Sequence, residues 1–208
     1  MSNLQTTTTD QPDQATANAT CRLVFPHGVA NLTIRVDASM ASMYRGEFYG
    51  PKPRVTEAEG AISIDYPRFN PLIWGRTAAN LTVSPSVAWF IDIRDGVSRW
   101  DADLRKLAIA GIDVRGGVNR VDLQLPRPSG TILVRVSGGT SHLRIRRPTG
   151  VPARIHIGSG ASKLALDDQG FGAVGGPVRL ESPGYSAATD RYDIEIGGGA
   201  SRVTIAND

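Results

Sequence analysis

Residues 197–205 read GGGASRVTI, and residues 158–166 read GSGASKLAL. One glycine turn followed by one alternating apolar run cannot bury its own apolar face, so a chain that repeats this unit must stack the copies against each other. Aligned on the glycine before the small-residue pair, five segments share the pattern. They are IDIRDGVSRWDADL (91–104), IDVRGGVNRVDLQL (112–125), VRVSGGTSHLRIRR (134–147), IHIGSGASKLALDD (155–168) and IEIGGGASRVTIAN (194–207). The aligned glycines are Gly96, Gly117, Gly139, Gly160 and Gly199, at spacings of 21, 22, 21 and 39. The last spacing is close to two periods and predicts a further turn within 170–190, around GPVRLES. Fainter copies precede these. GVANLTIRV (28–36) and TAANLTVSP (77–85) share ANLT, and EGAISIDYP (59–67) is a third candidate.

Each clear unit places two alternating runs around its turn. In IHIGSGASKLALDD, Ile155 and Ile157 face one side and His156 the other, while Leu164 and Leu166 point inward and Lys163 and Ala165 outward. Period 2 is the signature of a half-buried strand. The glycine pairs are expected to supply positive φ at tight turns, and PRPSG (126–130) and RPTGVP (147–152) mark corners between units. With 23 glycines and 13 prolines, long helices are not expected. The fixed period predicts an all-β fold, a β-solenoid or β-roll of 21–22-residue repeats. The alternative is an antiparallel β-sandwich, because the same runs can pair as hairpins.

Residues 1–21, MSNLQTTTTDQPDQATANATC, hold no Lys or Arg and almost no large apolar side chain, and read as a disordered polar tail. A single repeat-built domain is expected over 22–208. The tail has neither the basic start nor the apolar run of a secretory signal, and Cys21 is the chain's one cysteine. Both features lead to the expectation of a cytoplasmic protein without a disulfide or a membrane span.

The GGAS-like units, together with FGAVGGPVRLESPGY (171–185) and DRYDIEIGGGASRVTI (190–205), resemble bacterial proteins with repeated GGAS motifs, similar to the toast-rack and putative-adhesin β-solenoid domains. The resemblance runs over residues 22–207 and implies a repeat fold with no shared activity or catalytic residue. The polar tail ahead of a β-repeat is also similar to bactofilins, which implies end-to-end polymerisation.

The three histidines, His27, His142 and His156, have no metal-ligand spacing. No nucleophile elbow is present, and strands rather than helices follow the glycine runs, which argues against phosphate loops. No metal, cofactor or catalytic residue is expected. The outward positions form rows. Asp92, Asp113, Arg135 and His156 make one, and Asp101, Asp122, Arg144 and Ala165 another, with opposite charges on neighbouring copies and solvated Asp pairs at the acidic end. A third row is basic: Arg99, Arg120, His142, Lys163 and Arg202, joined by Arg146 and Arg147. It reads as an edge that blocks sheet extension, or as an interaction edge for an acidic partner or polysaccharide. Interleaved aromatics, which nucleic-acid binding calls for, are missing from the row. Tyr66, Phe69, Trp74, Trp89, Phe90 and Trp100 cluster instead at 66–100, as core or cap. The function expected is a non-enzymatic structural or protein-interaction module, self-associating tail to tail through the strand RVTIAND (202–208). The alternative is a carbohydrate-binding or carbohydrate-active β-helix.

Overall fold

The computed structural model describes residues 20–67 and 77–208. The expected tail, except Thr20 and Cys21, therefore lies outside the described residues, as do Phe69 and Trp74. In chain order the strands are β1 (Thr20–Phe25), β2 (Val29–Val36), β3 (Tyr44–Tyr49), β4 (Arg54–Ala58), β5 (Ala61–Asp65) and β6 (Ala78–Val83). The repeated units follow as β7 (Ala88–Ile93), β8 (Val97–Asp103), β9 (Ile109–Val114), β10 (Val118–Gln124), β11 (Thr131–Val136) and β12 (Thr140–Arg147). The chain continues through β13 (Ala153–Ile157), β14 (Ala161–Leu166), β15 (Gln169–Val174), β16 (Val178–Glu181), β17 (Arg191–Ile196) and β18 (Ala200–Asn207). Strand β1 starts at Thr20, two residues ahead of the expected domain boundary, and Cys21 is buried in it.

Every glycine turn of the repeat carries the chain from one sheet to the other. The first sheet runs β16-β13-β17-β11-β9-β7-β1-β5-β4 and the second β15-β14-β18-β12-β10-β8-β2-β6-β3. The two orders match, so a strand of each sheet and the turn between them form one rung, and rungs stack side by side. All neighbouring strands are parallel except β3, β4, β15 and β16, which pair antiparallel at the two ends. The inward residues of both sheets make one core cluster. Ile155, Ile157, Leu164 and Leu166 are buried in it, with His156 and Lys163 exposed, as the alternation requires. Tyr66, Trp89 and Trp100 are core residues as well, and Phe90 lies half-buried under the Arg22 guanidinium, 4.7 Å from its ring centre.

Space order departs from chain order at both ends. The rung β17/β18 inserts between β11/β12 and β13/β14, and β1/β2 inserts between β5/β6 and β7/β8. The turn expected in 170–190 exists at Gly175–Gly176, but its rung β15/β16 runs in reverse and caps the stack. The strand expected to be the sticky end, β18, is hydrogen-bonded on both sides, to β12 and β14. Tail-to-tail pairing through it is therefore ruled out, since its backbone donors and acceptors are already engaged. The ANLT echoes pair, but two residues out of step, with Leu32 opposite Ala79 and Ile34 opposite Leu81.

The turn glycines are required for a reason other than φ. Of those at the aligned positions, Gly160 alone has a positive φ. The glycines one place earlier in the turn, Gly116, Gly138 and Gly198, are needed for space. A Cβ on Gly116 would sit 2.5 Å from the Asp95 carbonyl carbon and the Gly96 nitrogen, and one on Gly138 would sit 2.7 Å from the Gly116 backbone. Each turn lies directly on the next, with hydrogen bonds such as Gly138 N–H to Gly116 O (3.2 Å) and Gly198 N–H to Gly138 O (3.1 Å).

Two consequences are measurable by chemical denaturation. Gly116→Ala should cost about 1–3 kcal/mol, the scale of overpacking against unyielding neighbours, whereas Gly172→Ala, with no atom within 4 Å of the added carbon, should stay within about 0.5 kcal/mol of wild type. Ile157→Asp should cost about 4 kcal/mol or more, because it places an unpaired charge in the core.

Candidate interaction groove

The strands of the second sheet do not alternate strictly. After each turn the burial runs in, out, out, in: Val118, Asn119, Arg120, Val121 in β10, and Ala200, Ser201, Arg202, Val203 in β18. The extra outward residue takes up a left-handed backbone, with φ of 51° at Arg120, 55° at His142, 54° at Lys163 and 53° at Arg202. This is the kink of a β-bulge, but four neighbouring strands, β14, β18, β12 and β10, make it at the same place, so register survives and Val121, Leu143 and Val203 remain partners; Arg99 on β8 continues the row without the left-handed φ. For a side-chain-bearing residue such a φ costs roughly 1–2 kcal/mol, a cost glycine would avoid.

The kinks bring the basic row together. Across the sheet the order is Lys163, Arg202, His142, Arg120, Arg99, then Asn31 on β2. All five basic residues are exposed. The row crosses the middle of the outer face, between strands paired on both sides, so it does not block an edge. Beside it lies a groove of about 590 Å³. Arg99, Arg120, His142 and Arg202 form one wall, and Thr33, Asp101, Asp122, Arg144 and Thr204 the other. Leu32, Trp100, Val121 and Leu143 lie between. Lys163 continues the row beyond the groove.

Arginines dominate the charge. Both carboxylates of the far wall are engaged, Asp101 by Arg35, and Asp122 by Arg146 Nη2 (2.6 Å) and Arg144 Nη1 (3.8 Å). Among the described residues neither Arg99 nor Arg120 has a salt-bridge partner. Arg202 Nη1 lies 2.9 Å from His142 Nε2. Arginine can only donate, so Nε2 accepts, and Nδ1 carries the hydrogen and donates to Ser141 Oγ at 2.9 Å.

Other expectations need correction. Arg147 does not belong to the basic row. It is 1% exposed, donates from Nη1 and Nη2 to both oxygens of Asp167 (2.9 and 2.7 Å), and bonds the Val151 carbonyl through Nε. Its role is to pin the turn between β14 and β15. Arg146 is half-buried and turned to Asp122. Because β17/β18 is inserted, Glu195 separates Arg135 from His156, and Thr204 separates Arg144 from Ala165. Arg135 pairs with Glu195 at 2.9 Å. Asp92 is not solvated: it is fully buried, its Oδ2 faces Arg94 Nε at 3.2 Å, and Oδ1 of both Asp92 and Asp113 lacks a hydrogen-bond partner among the described residues. No three His, Cys, Asp or Glu side chains cluster for a metal among the described residues. Burial, and then Glu57, push the Cys21 thiol up, which leaves it a poor nucleophile.

No family model matches the chain, and no curated protein matches it. A solved structure described as a putative cell adhesion protein, from Clostridium sporogenes ATCC 15579, aligns with a TM-score of 0.72, covering 93% of this chain and 94% of that chain at 19% identity. At that identity the likeness establishes a shared fold. No helix among the described residues is long and apolar enough to cross a membrane.

The two kinds of arginine should separate in thermal and urea unfolding. Arg147→Ala strands the carboxylate of Asp167 and should cost about 3–5 kcal/mol. Arg99→Ala, an exposed and unpaired side chain, should change stability by less than about 0.5 kcal/mol.

Proposed function

We propose that the protein is a non-enzymatic interaction module that holds an anionic partner in the groove of its second sheet. One observation carries the reading: three arginines and a histidine, contributed by four successive rungs, line one wall of a groove whose two carboxylates among the described residues, Asp101 and Asp122, are already paired with arginines. The adhesion-like fold of the neighbouring structure is in keeping with a binding role. We read the fold itself as a short two-sided β-solenoid capped by reversed rungs, since every repeat turn changes sheet and interior neighbours are parallel, unlike a sandwich of hairpins.

The carbohydrate-active alternative requires a carboxyl able to act as a general acid. Among the described residues, the carboxyls lining the groove are Asp101 and Asp122, and each is already engaged by an arginine, Arg35 for Asp101 and Arg146 for Asp122. Self-association, if kept, moves from β18 to β15. Its sequence, QGFGAV, carries no charge or proline, and Phe171 is 40% exposed on it. Light scattering across concentration reads this directly: a dimer that Gly172→Lys returns to monomer supports β15 as the contact, and a monomer throughout removes it.

The groove is tested on immobilised dextran sulfate in a salt gradient. Arg99→Glu/Arg120→Glu should elute at clearly lower salt than wild type, while Lys52→Glu/Arg54→Glu, with the same charge change on exposed residues away from the groove, should elute close to it. Equal loss in both variants would show that net charge alone drives retention and would overturn the groove. Release of new reducing ends from an acidic polysaccharide would overturn the non-enzymatic reading.

A further inference from the structure

We propose that the occupant of the groove is a linear polysaccharide carrying carboxylates along its length, lying across the strands with about one sugar per rung. This rests on the groove being the interaction surface.

The first argument is the backbone. Arg120, His142 and Arg202 hold φ between 51° and 55°, where glycine or asparagine is less strained. The chain uses glycine freely in the adjoining turns, yet places a long cationic or imidazole side chain at each kink. Strained backbone retained at aligned positions marks a functional demand on the side chains. No packing role replaces it, since all three are exposed.

The second argument is spacing. Parallel rungs lie about 4.8 Å apart, so Arg99 to Arg202 spans roughly 14 Å, and Lys163 extends the row to roughly 19 Å. The advance of one pyranose unit in an extended glycan is close to one rung. A chain laid along the row therefore meets about one basic or imidazole side chain per sugar, and each carboxylate turned towards that wall comes within reach of an arginine. The far wall offers what sugar hydroxyls need: the hydroxyls of Thr33 and Thr204 and the acceptor oxygens of Asp101 and Asp122.

The same features disfavour other polyanions. A nucleic-acid strand would bring phosphates against Asp101 and Asp122, and Trp100, the one Phe, Tyr or Trp among the described residues lining the groove, is 2% exposed and offers it no stacking platform. An acidic peptide cannot add as a strand, since β2, β8, β10, β12 and β18 are each hydrogen-bonded on both sides.

Calorimetric titration with (1→4)-linked oligogalacturonates of increasing length tests this, with uncharged oligogalactose, oligothymidylate and oligoglutamate as comparisons. Affinity should rise with each sugar and level off at about five, the length of the basic row, and the uncharged series should bind at least about tenfold more weakly. Arg120→Gly should also lose about tenfold, with a melting temperature no lower than wild type, because the substitution relieves the left-handed φ. A purely structural role for Arg120 would instead lower the melting temperature and leave affinity unchanged. Length-independent binding, equal binding of the uncharged series, tighter binding of oligothymidylate or oligoglutamate, or unchanged affinity in Arg120→Gly would each overturn the proposal. If the dextran sulfate column separates the groove variant while oligogalacturonates do not bind, the groove stands and the glycan falls. If neither responds, both fall.

Discussion

Backbone contact between stacked glycine turns sets the geometry of the whole molecule. Gly116 lies against Asp95–Gly96, Gly138 against Gly116, and Gly198 against Gly139, each too close for a Cβ. Turns packed this tightly leave one register for the strands on either side. That register aligns Ile112 with Val134 and Ile194 in the first sheet and Val121 with Leu143 and Val203 in the second. The continuous core follows from the turns as much as from the apolar alternation, because a one-residue slip would turn every inward side chain to solvent.

The same register is what makes a groove. A kink in one strand would be a local irregularity. Repeated at Arg120, His142, Lys163 and Arg202, it becomes a feature that crosses the sheet, with a like residue type delivered at each rung. The antiparallel caps matter here too. They place β3, β4, β15 and β16 at the ends and leave the groove-bearing strands β8, β10, β12 and β18 fully paired inside. A partner at this face would meet side chains alone, on strands whose backbone is already paired on both sides, which would suit a partner with its own regular repeat.

Much of this was legible in the sequence. The alternation at Ile155, Ile157, Leu164 and Leu166 gave the inward face, and the aligned glycines located the turns. The basic row could be listed before its geometry was known. The kink was not read, although it leaves a trace: two consecutive polar residues, Ser-Arg, Asn-Arg, Ser-His or Ser-Lys, where strict alternation allows one. Sequence alone assigns the glycines to positive φ, because it does not show what lies above a turn. Arg147 looked like its neighbour Arg146, and only the fold brings Asp167 to it. The place of β17/β18 was hidden because rungs of equal length and similar pattern can exchange neighbours, and the 39-residue gap was the one hint that something intervened.

On the proposed reading, the aligned basic residues of β8, β10, β12 and β18, three of them on left-handed backbone, form one binding surface. Nitrogen-15 chemical-shift mapping during titration with an oligogalacturonate reads that surface residue by residue. The account predicts that the shifts concentrate on the backbone amides of residues 99–101, 120–122, 142–144 and 202–204 and on the arginine Nε signals of Arg99, Arg120 and Arg202. Shifts confined to β3 or β15, or spread over the first sheet with the groove unmoved, would contradict it.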